Sequence, residues 1–330
     1  MLDDNMERKP VLAIISPCYN EEEALPRTNE RLLDLLERMV QRGEVSGDSR
    51  VVYVDDGSRD GTWQLIDRYV AQCHRVCGVK LAGNSGHQNA LMAGMQAVVD
   101  WADAQVTIDA DLQDDIEVIP EMVKDYVEQG CDIVYGVRRE RTTDTWFKRT
   151  TALGFYKLMH HLGVKSVYNH ADFRLMSRRA TQQLLKYRER NLFLRGIVPL
   201  IGYKTAQVYY DRAPRTAGES KYPLSKMLNF AVDGITSFSI KPVRLVLCMG
   251  GIFILIALAM FIYVLYSYFS GRAVTGWASM ILSIWFVGGC VLVGLGVVGE
   301  YIGKIYIEVK DRPRYNIEKI EKNKRIHLTI

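Results

Sequence analysis

Two uncharged apolar runs constrain this chain more than anything else in it. Leu245–Phe269 passes 25 residues without a charge, and Trp277–Gly299 passes 23. As helices, both are long enough to cross the ~30 Å hydrocarbon core of a bilayer. The link between them, residues 270–276, carries only Arg272. Lys241 and Arg244 precede the first run, and Lys304, Lys310, Arg312 and Arg314 follow the second. That excess of cationic residues places both flanks on the cytoplasmic side of the membrane. The residues before Val11 are polar and mixed in charge and do not read as a signal peptide.

The rest of the chain is globular in composition. A net charge of +4 over 330 residues gives no argument for nucleic acid as a partner. Cysteines at 18, 73, 77, 131, 248 and 290 form no metal-ligand or disulfide framework, and reduced thiols in a cytoplasmic domain account for them.

From Val11 the chain alternates strand, polar loop and helix. Val11–Ser16, Arg50–Val54, Gly78–Leu81 and Ala104–Ile108 read as strands. Helices are expected at Glu22–Val40, from near Thr62 with Asp60 as its cap, at Gln88–Val99, and at Ile116–Gln129 closed by Gly130. Such alternation implies a mostly parallel sheet covered by helices on both faces, with all four polar loops at its carboxyl edge, where open α/β sheets hold ligands. The fourth loop contains Asp109-Ala110-Asp111. Two carboxylates two residues apart can turn towards one hard cation, Mg²⁺ or Mn²⁺, which keeps positions open for phosphate oxygens. Alone, the pair would read as turn residues after a strand. Convergence of the four loops makes a site the better reading.

Two other nucleotide or phosphate chemistries fail on the residues. Val54 stands two positions before Asp56, where a haloacid-dehalogenase phosphatase needs its nucleophilic Asp. The only Gly-x-Gly-x-x-Gly, Gly294–Gly299, lies inside the second apolar run, where glycines serve helix packing.

Pro17-Cys18-Tyr19-Asn20-Glu21, Asp55-Asp56-Gly57-Ser58, Asn84-Ser85-Gly86 and Asp109-Ala110-Asp111-Leu112-Gln113 occur in this order. Gly218-Glu219-Ser220-Lys221-Tyr222, Leu295–Tyr306 and Arg312-Pro313-Arg314-Tyr315 follow them. Together they resemble glycosyltransferase family 2 inverting enzymes of the GT-A fold, and within it the polyprenyl-phosphate glycosyltransferases, the group of bactoprenol glucosyltransferases and dolichyl-phosphate mannose synthases. The resemblance spans nearly the whole chain. It implies that Pro17, Tyr19, Asn20 and Glu21 line a nucleotide pocket and that Asp55 and Asp56 serve the base or ribose. Asp109 would meet ribose or metal, and Asp111 and Gln113 would hold the cation on the sugar-nucleotide diphosphate. Asp172 would be the catalytic carboxylate beside the reacting sugar carbon. Where many relatives carry Arg or Lys next to the Asn-x-Gly loop, this chain has Gly83 and His87, so no phosphate contact is carried over there.

Cationic residues supply the expected phosphate and acceptor contacts. Arg138, Arg139, Arg141, Lys148 and Arg149 follow the Asp site, of which Arg138 and Arg149 are the candidates. Arg174 lies beside Asp172, in what reads as an entry loop to a helix over Arg178–Tyr187. Arg212, Arg215, Ser220 and Lys221 form a second cluster suited to phosphate. Phe147–His161 reads as a helix, and its adjacent His160 and His161 cannot share a face, which argues against a metal site there. Apolar positions 224, 227, 228, 231, 235 and 238 recur at helical spacing and lead into the first apolar run, as a helix lying in the membrane interface would.

The expectation is therefore an α/β GT-A domain over 1–222, an interfacial helix over 223–243, two transmembrane helices over 244–303 and a cytoplasmic tail over 304–330, polar and loosely ordered from Arg312. The enzyme would transfer one sugar from a UDP-sugar to polyprenyl (undecaprenyl) phosphate with inversion, at the cytoplasmic leaflet of a bacterial inner membrane. The product would serve cell-envelope glycosylation such as O-antigen modification. Glucose comes first among the sugars, then N-acetylglucosamine or galactose. A processive polysaccharide synthase would need Gln-x-x-Arg-Trp, which the chain lacks, and two spans without internal charge are few for a transport path. Glycines at 250, 251, 288, 289, 299 and 303 permit close helix contacts within one chain or in a homo-oligomer.

Overall fold

The computed structural model describes residues 8–139, 170–190, 192–211, 241–270 and 276–323. The chain divides into two compact units, Met1–Leu153 with Lys165–Lys221 and Arg312–Ile330 in the first, and Gly154–Val164 with Tyr222–Asp311 in the second.

In the first unit the alternation takes the expected form. Strands β1 (Leu12–Cys18), β2 (Arg50–Asp55), β3 (Val76–Leu81) and β4 (Ala104–Thr107) are separated by α1 (Leu25–Gln41), α2 (Thr62–Gln72) and α3 (His87–Val98). β1 pairs in parallel with β2 and β4, and β2 with β3. Then come a 3₁₀ turn at Ile116–Val118, α4 (Ile119–Gln129), β5 (Ile133–Arg138), β6 (His170–Ser177), α5 (Arg178–Leu184), α6 (Leu194–Ile197) and β7 (Thr205–Tyr210). With β8 (Ile317–Lys322) they complete one eight-stranded sheet in the order β7-β5-β6-β4-β1-β2-β3-β8. It is a GT-A-like α/β fold with a mostly parallel sheet.

Side-chain alternation explains the layers. Leu12, Ile14, Val51 and Tyr53 point to one face, where α1 buries Leu25, Leu32, Leu35, Leu36 and Met39 at helical spacing. Full burial of each such side chain stabilises the fold by about 1.5–3 kcal/mol. The opposite face receives α3. Its Gly94 sits so close that a Cβ there would lie 2.5 Å from Ile15 Cγ2 and 2.8 Å from Val54 Cγ2. Gly130 ends α4 with φ 63°, a left-handed cap that favours glycine.

Pro17 lies within β1 rather than ending it. Cys18 O accepts from Asp56 N on the β2 side, whereas Ile15 O accepts from Ile108 N on the β4 side. Successive residues of a parallel strand alternate sides, so Pro17 faces β4, whose ladder has already stopped at Ile15–Thr107. Its missing N–H costs no rung.

Two segments differ from expectation. Asp172–Leu175 is not a helix-entry loop but the middle of β6, antiparallel between β4 and β5. The residues after the second apolar run are not a loose tail, because β8 pairs antiparallel with β3 along the sheet edge. The approach to β8 is also fixed. Arg190 donates to Arg312 O and Pro313 O, Arg314 to Tyr187 O, and Tyr315 OH to Gln96 Oε1 at 2.6 Å.

In the second unit, α7 (Lys241–Phe269) and α8 (Trp277–Val309) are helices of 29 and 33 residues. Within α8, Phe286–Val309 is long and apolar enough to cross a membrane. A Cβ at Gly294 would lie 3.1 Å from Val246 Cγ1 of α7, so this glycine of the Gly-x-Gly-x-x-Gly pattern serves helix packing. The expected helices over 147–161 and 224–238, with His160 and His161, lie outside the described residues.

Candidate active site

Four loops meet at the carboxyl edge of the parallel strands, and hydrogen bonds lock them to one another. Asn20 N donates to Ser58 Oγ at 3.0 Å, and Arg59 N returns a bond to Asn20 Oδ1 at 2.8 Å. Glu21 N donates to Thr62 Oγ1 (2.9 Å), and Gly61 N to Glu22 Oε2 (2.8 Å). Asp60 accepts the N–H and hydroxyl of Thr62 at 3.1 and 2.6 Å, which caps α2 from two residues upstream. Gly57 takes φ 70° where a Cβ would collide with the backbone of Gly83 and Asn84 at under 3 Å, so only glycine lets the second and third loops touch. Tyr19 stands exposed at this edge.

Asp55 and Asp56, expected at the base or ribose, are both buried, and burial raises both carboxyl pKa values. Asp55 Oδ1 accepts from Ser58 N at 3.3 Å, while its Oδ2 is buried with no partner among the described residues. Asp56 grips the third loop, accepting Ser85 N at 2.7 Å on Oδ1 and Gly86 N at 2.9 Å on Oδ2. That clamp sets the start of α3 and with it His87.

The Asp-x-Asp loop is strained and tightly held. Leu112 is buried with φ 45°, a left-handed conformation costing a branched side chain about 1–3 kcal/mol. Thr28 of α1 fixes the loop by donating to Ala110 O at 2.6 Å, and Gln113 N donates to Asp111 Oδ1 at 3.2 Å. The Gln113 amide is buried and its Nε2 has no partner among the described residues. Burial pushes the Asp109 carboxyl up; His87 opposes this, while Asp172, Asp114 and Asp111 add repulsion.

This donor set fits a hard divalent cation. No group of three or more His, Cys, Asp or Glu among the described residues forms a protein-only metal cage. Asp109 and Asp111 instead supply two oxygen donors in a field of mutually repelling carboxylates, as suits an ion that also takes water and phosphate oxygens.

Asp172 enters the same edge from β6. Thr107 Oγ1 donates to its backbone carbonyl at 2.5 Å and ties β6 to β4 beside the Asp-x-Asp loop. Two guanidiniums and an imidazole face its carboxylate. Arg174 Nη2 donates to Oδ1 at 2.7 Å, Arg195 Nη2 lies 3.3 Å from Oδ2, and His87 Nε2 lies 3.9 Å from Oδ2. The same His87 nitrogen is 3.4 Å from Asp109 Oδ1, so His87 bridges the two carboxylates. Burial alone would raise the Asp172 pKa, but Arg195, Arg174 and His87 outweigh it and bring it down to about 2.

The expected phosphate contacts are redistributed. Arg174 has no exposed side-chain surface, so it cannot meet a ligand directly and instead holds Asp172. Arg138 is committed to Asp114 Oδ1, at 3.1 and 2.9 Å, and to Tyr210 OH at 3.2 Å. Arg149, Arg212, Arg215, Ser220 and Lys221 lie outside the described residues. Sequence reasoning missed His87, Arg195 and Gln88. Only His87 carried a signal, its place directly after Asn-x-Gly. At the opposite edge of the sheet a cavity of about 310 Å³ is lined by Asp103, Asp132, Arg178 and Arg179, whose charges pair with one another.

The family model Glycosyl transferase family 2 matches residues 13–185. The uncharacterized glycosyltransferase YkoT of Bacillus subtilis (strain 168) is 51% identical over 312 residues, covering 94% of this chain and 92% of that one. The prophage bactoprenol glucosyl transferase homolog of Escherichia coli (strain K12) is 38% identical over 94% of this chain and 99% of its own. Among solved structures, glucosyl-3-phosphoglycerate synthase from Mycobacterium tuberculosis, in complex with Mn²⁺, UDP and glucosyl-3-phosphoglycerate, superposes with a TM-score of 0.42 at 18% identity, covering 69% of this chain and 78% of that one.

Proposed function

The chain belongs to glycosyltransferase family 2 and is a glycosyltransferase, and from that premise we propose that it moves one sugar, glucose first, from a UDP-sugar to polyprenyl phosphate with inversion. The observation that carries the reading is the pairing, across His87, of an acidic Asp109–Asp111 pole with an Asp172 whose carboxylate is held by Arg174 and Arg195. Relatives named for bactoprenol glucosyl transfer support the lipid phosphate as acceptor. The apolar segment Phe286–Val309 supports a membrane anchor, and the proposal adds α7 as a second span, with the site working at the cytoplasmic face.

The chemistry follows from the charges. Asp109 and Asp111 would hold Mg²⁺ or Mn²⁺, with Gln113 alongside, and when bound the cation neutralises charge on the departing diphosphate. An oxygen of the acceptor phosphate attacks the anomeric carbon. The bond from that carbon to the UDP oxygen breaks, and its electron pair leaves with UDP. Attack opposite the leaving group inverts the centre. A phosphate monoester has a second pKa near ~6, so most of it is already dianionic at neutral pH. Asp172, ionised and held by two guanidiniums, is therefore not a proton acceptor. It stabilises positive charge building on the sugar ring and positions its cationic neighbours. Tyr19, Asn20 and Glu21 with Asp55 and Asp56 frame the nucleotide end of the cleft.

The test is mass spectrometry of the lipid product when purified protein receives undecaprenyl phosphate and a panel of UDP-sugars, with and without chelator. A single hexose on lipid phosphate, abolished by chelation and restored by Mg²⁺ or Mn²⁺, is the expected result. A polymer, or transfer untouched by chelation, would overturn the reading.

A further inference from the structure

Asp172 balances one guanidinium and leaves another partly free. Arg174 is wholly buried and directs Nη2 at Oδ1 of Asp172. Arg195 keeps 37% of its side chain exposed and touches the same carboxylate through Nη2 alone. A guanidinium carries five N–H donors in a planar fork. Among the described residues, the others on Arg195 meet no protein acceptor. An oriented fork with open donors beside a reaction centre is a receptor for a planar pair of anionic oxygens.

The fold holds Arg195 in place for this. It lies in α6 between Leu194 and Ile197, both buried. Leu194 N donates to Gln88 Oε1 at 2.8 Å. Gln88 directly follows His87, so the first turn of α3 sets both the bridge to Asp109 and the place of Arg195. His87 and Arg195 thus approach the same oxygen of Asp172, Oδ2, at 3.9 and 3.3 Å. Beyond His87 lie Asp109 and Asp111, where a cation would neutralise a diphosphate, and next to it lies the open guanidinium.

We propose that Arg195 receives the phosphate group of the acceptor, oriented for it by Asp172 and Gln88. The inference rests on the reading that the acceptor is a phosphate monoester. A guanidinium separate from the Asp109–Asp111 pair, yet held on the same Asp172 oxygen as His87, would bring the acceptor phosphate to the reaction centre without making the two anions share one group of ligands.

The experiment uses the full chain in detergent and compares it with Arg195→Gln and Arg195→Lys. Three quantities are read: KM for undecaprenyl phosphate, affinity for UDP with Mn²⁺, and calorimetric binding of geranyl phosphate, a short isoprenyl phosphomonoester. Loss of a hydrogen bond to a charged group weakens binding about 10- to 100-fold. Arg195→Gln is expected to raise the acceptor KM and weaken geranyl phosphate binding by that factor while UDP affinity stays within twofold. Arg195→Lys, which keeps charge but loses the fork, should recover part of the loss. An unchanged acceptor KM, or UDP affinity falling by the same factor, would overturn the proposal. Should Arg195→Gln not fold, the Lys variant decides by the same comparison. If the unaltered protein transfers sugar to no lipid phosphate yet loses geranyl phosphate binding on Arg195→Gln, the proposed function falls and the anion site stands. Geranyl phosphate binding unchanged in the variant removes the site whatever the transfer result.

Discussion

At the scale of single residues, charge balance decides what Asp172 can do. With its pKa depressed to about 2, Asp172 stays ionised throughout the neutral range. The acid limb of the rate against pH should therefore follow the acceptor phosphate near ~6. Asp172→Asn should scale the whole profile down and leave the limb where it is. A limb that vanishes in the variant would make Asp172 the general base. Stability carries a matching signature. A carboxyl whose folded pKa is depressed stabilises the fold fully above its unfolded value near ~4, and that contribution is lost as pH falls towards the folded value. Acid unfolding between about pH 4 and 2 should thus be steeper in the unaltered protein than in Asp172→Asn. The carboxylates at 55, 56, 109 and 111 stood out because each lies in a short motif, whereas Asp172 came only from the resemblance. Arg195 was not, because nothing near it in sequence marks it. Its meaning comes from Asp172, 23 positions away. Arg174 misled for a related reason: a charged residue next to a catalytic candidate reads as a ligand contact, and only burial shows that it serves its neighbour.

Elements were readable where one face of each was apolar. β1 to β4 and α1 to α4 follow from continuous apolar runs and helical spacing, and their observed bounds lie within a few residues of those expected. β6 escaped although Ala171, Phe173 and Leu175 alternate with Asp172 and Arg174 at strand period, because two charged residues just before a helix read as its entry loop. β8 escaped because Ile-Glu-Lys-Ile-Glu-Lys is an edge strand with most residues exposed, and charge along an edge looks the same as charge in a tail. Two variants test packing at this scale. Gly94→Ala must push a methyl into Ile15 and Val54. Since β-branched strand residues adjust poorly, a loss of roughly 1–3 kcal/mol is expected in denaturant unfolding. A chain stopped after Asp311 lacks β8 and leaves β3 as a bare edge. At ~1 kcal/mol for each net ladder hydrogen bond, such a chain should unfold at lower temperature and be cut faster by protease. Equal melting and equal protease resistance would mean that β8 contributes nothing to the sheet.

For the whole molecule, the catalytic unit is discontinuous, since its sheet includes residues on both sides of α7 and α8. Stopping the chain near Gly218 is therefore a poor way to isolate it. A better division replaces residues 222–311 by a Gly/Ser linker and keeps Arg312–Lys322. That chain should remain in the soluble fraction and bind UDP with Mn²⁺, while losing transfer to long-chain polyprenyl phosphate. Undiminished transfer to the long-chain lipid would deny the helices their part in presenting the acceptor. The two long helices were visible in the sequence as uncharged runs, but the return of the chain to the sheet after them was not, because pairing between residues about 240 positions apart leaves no local pattern.

The late position of β8 also orders events in time. Ribosomes release residues 317–322 after both long helices, so β3 keeps an unsatisfied edge through most of synthesis. An open strand edge invites pairing with other chains. The nascent polypeptide must carry that hazard until its helices have emerged, and the same segment that closes the edge dates the completion of the fold to after their synthesis.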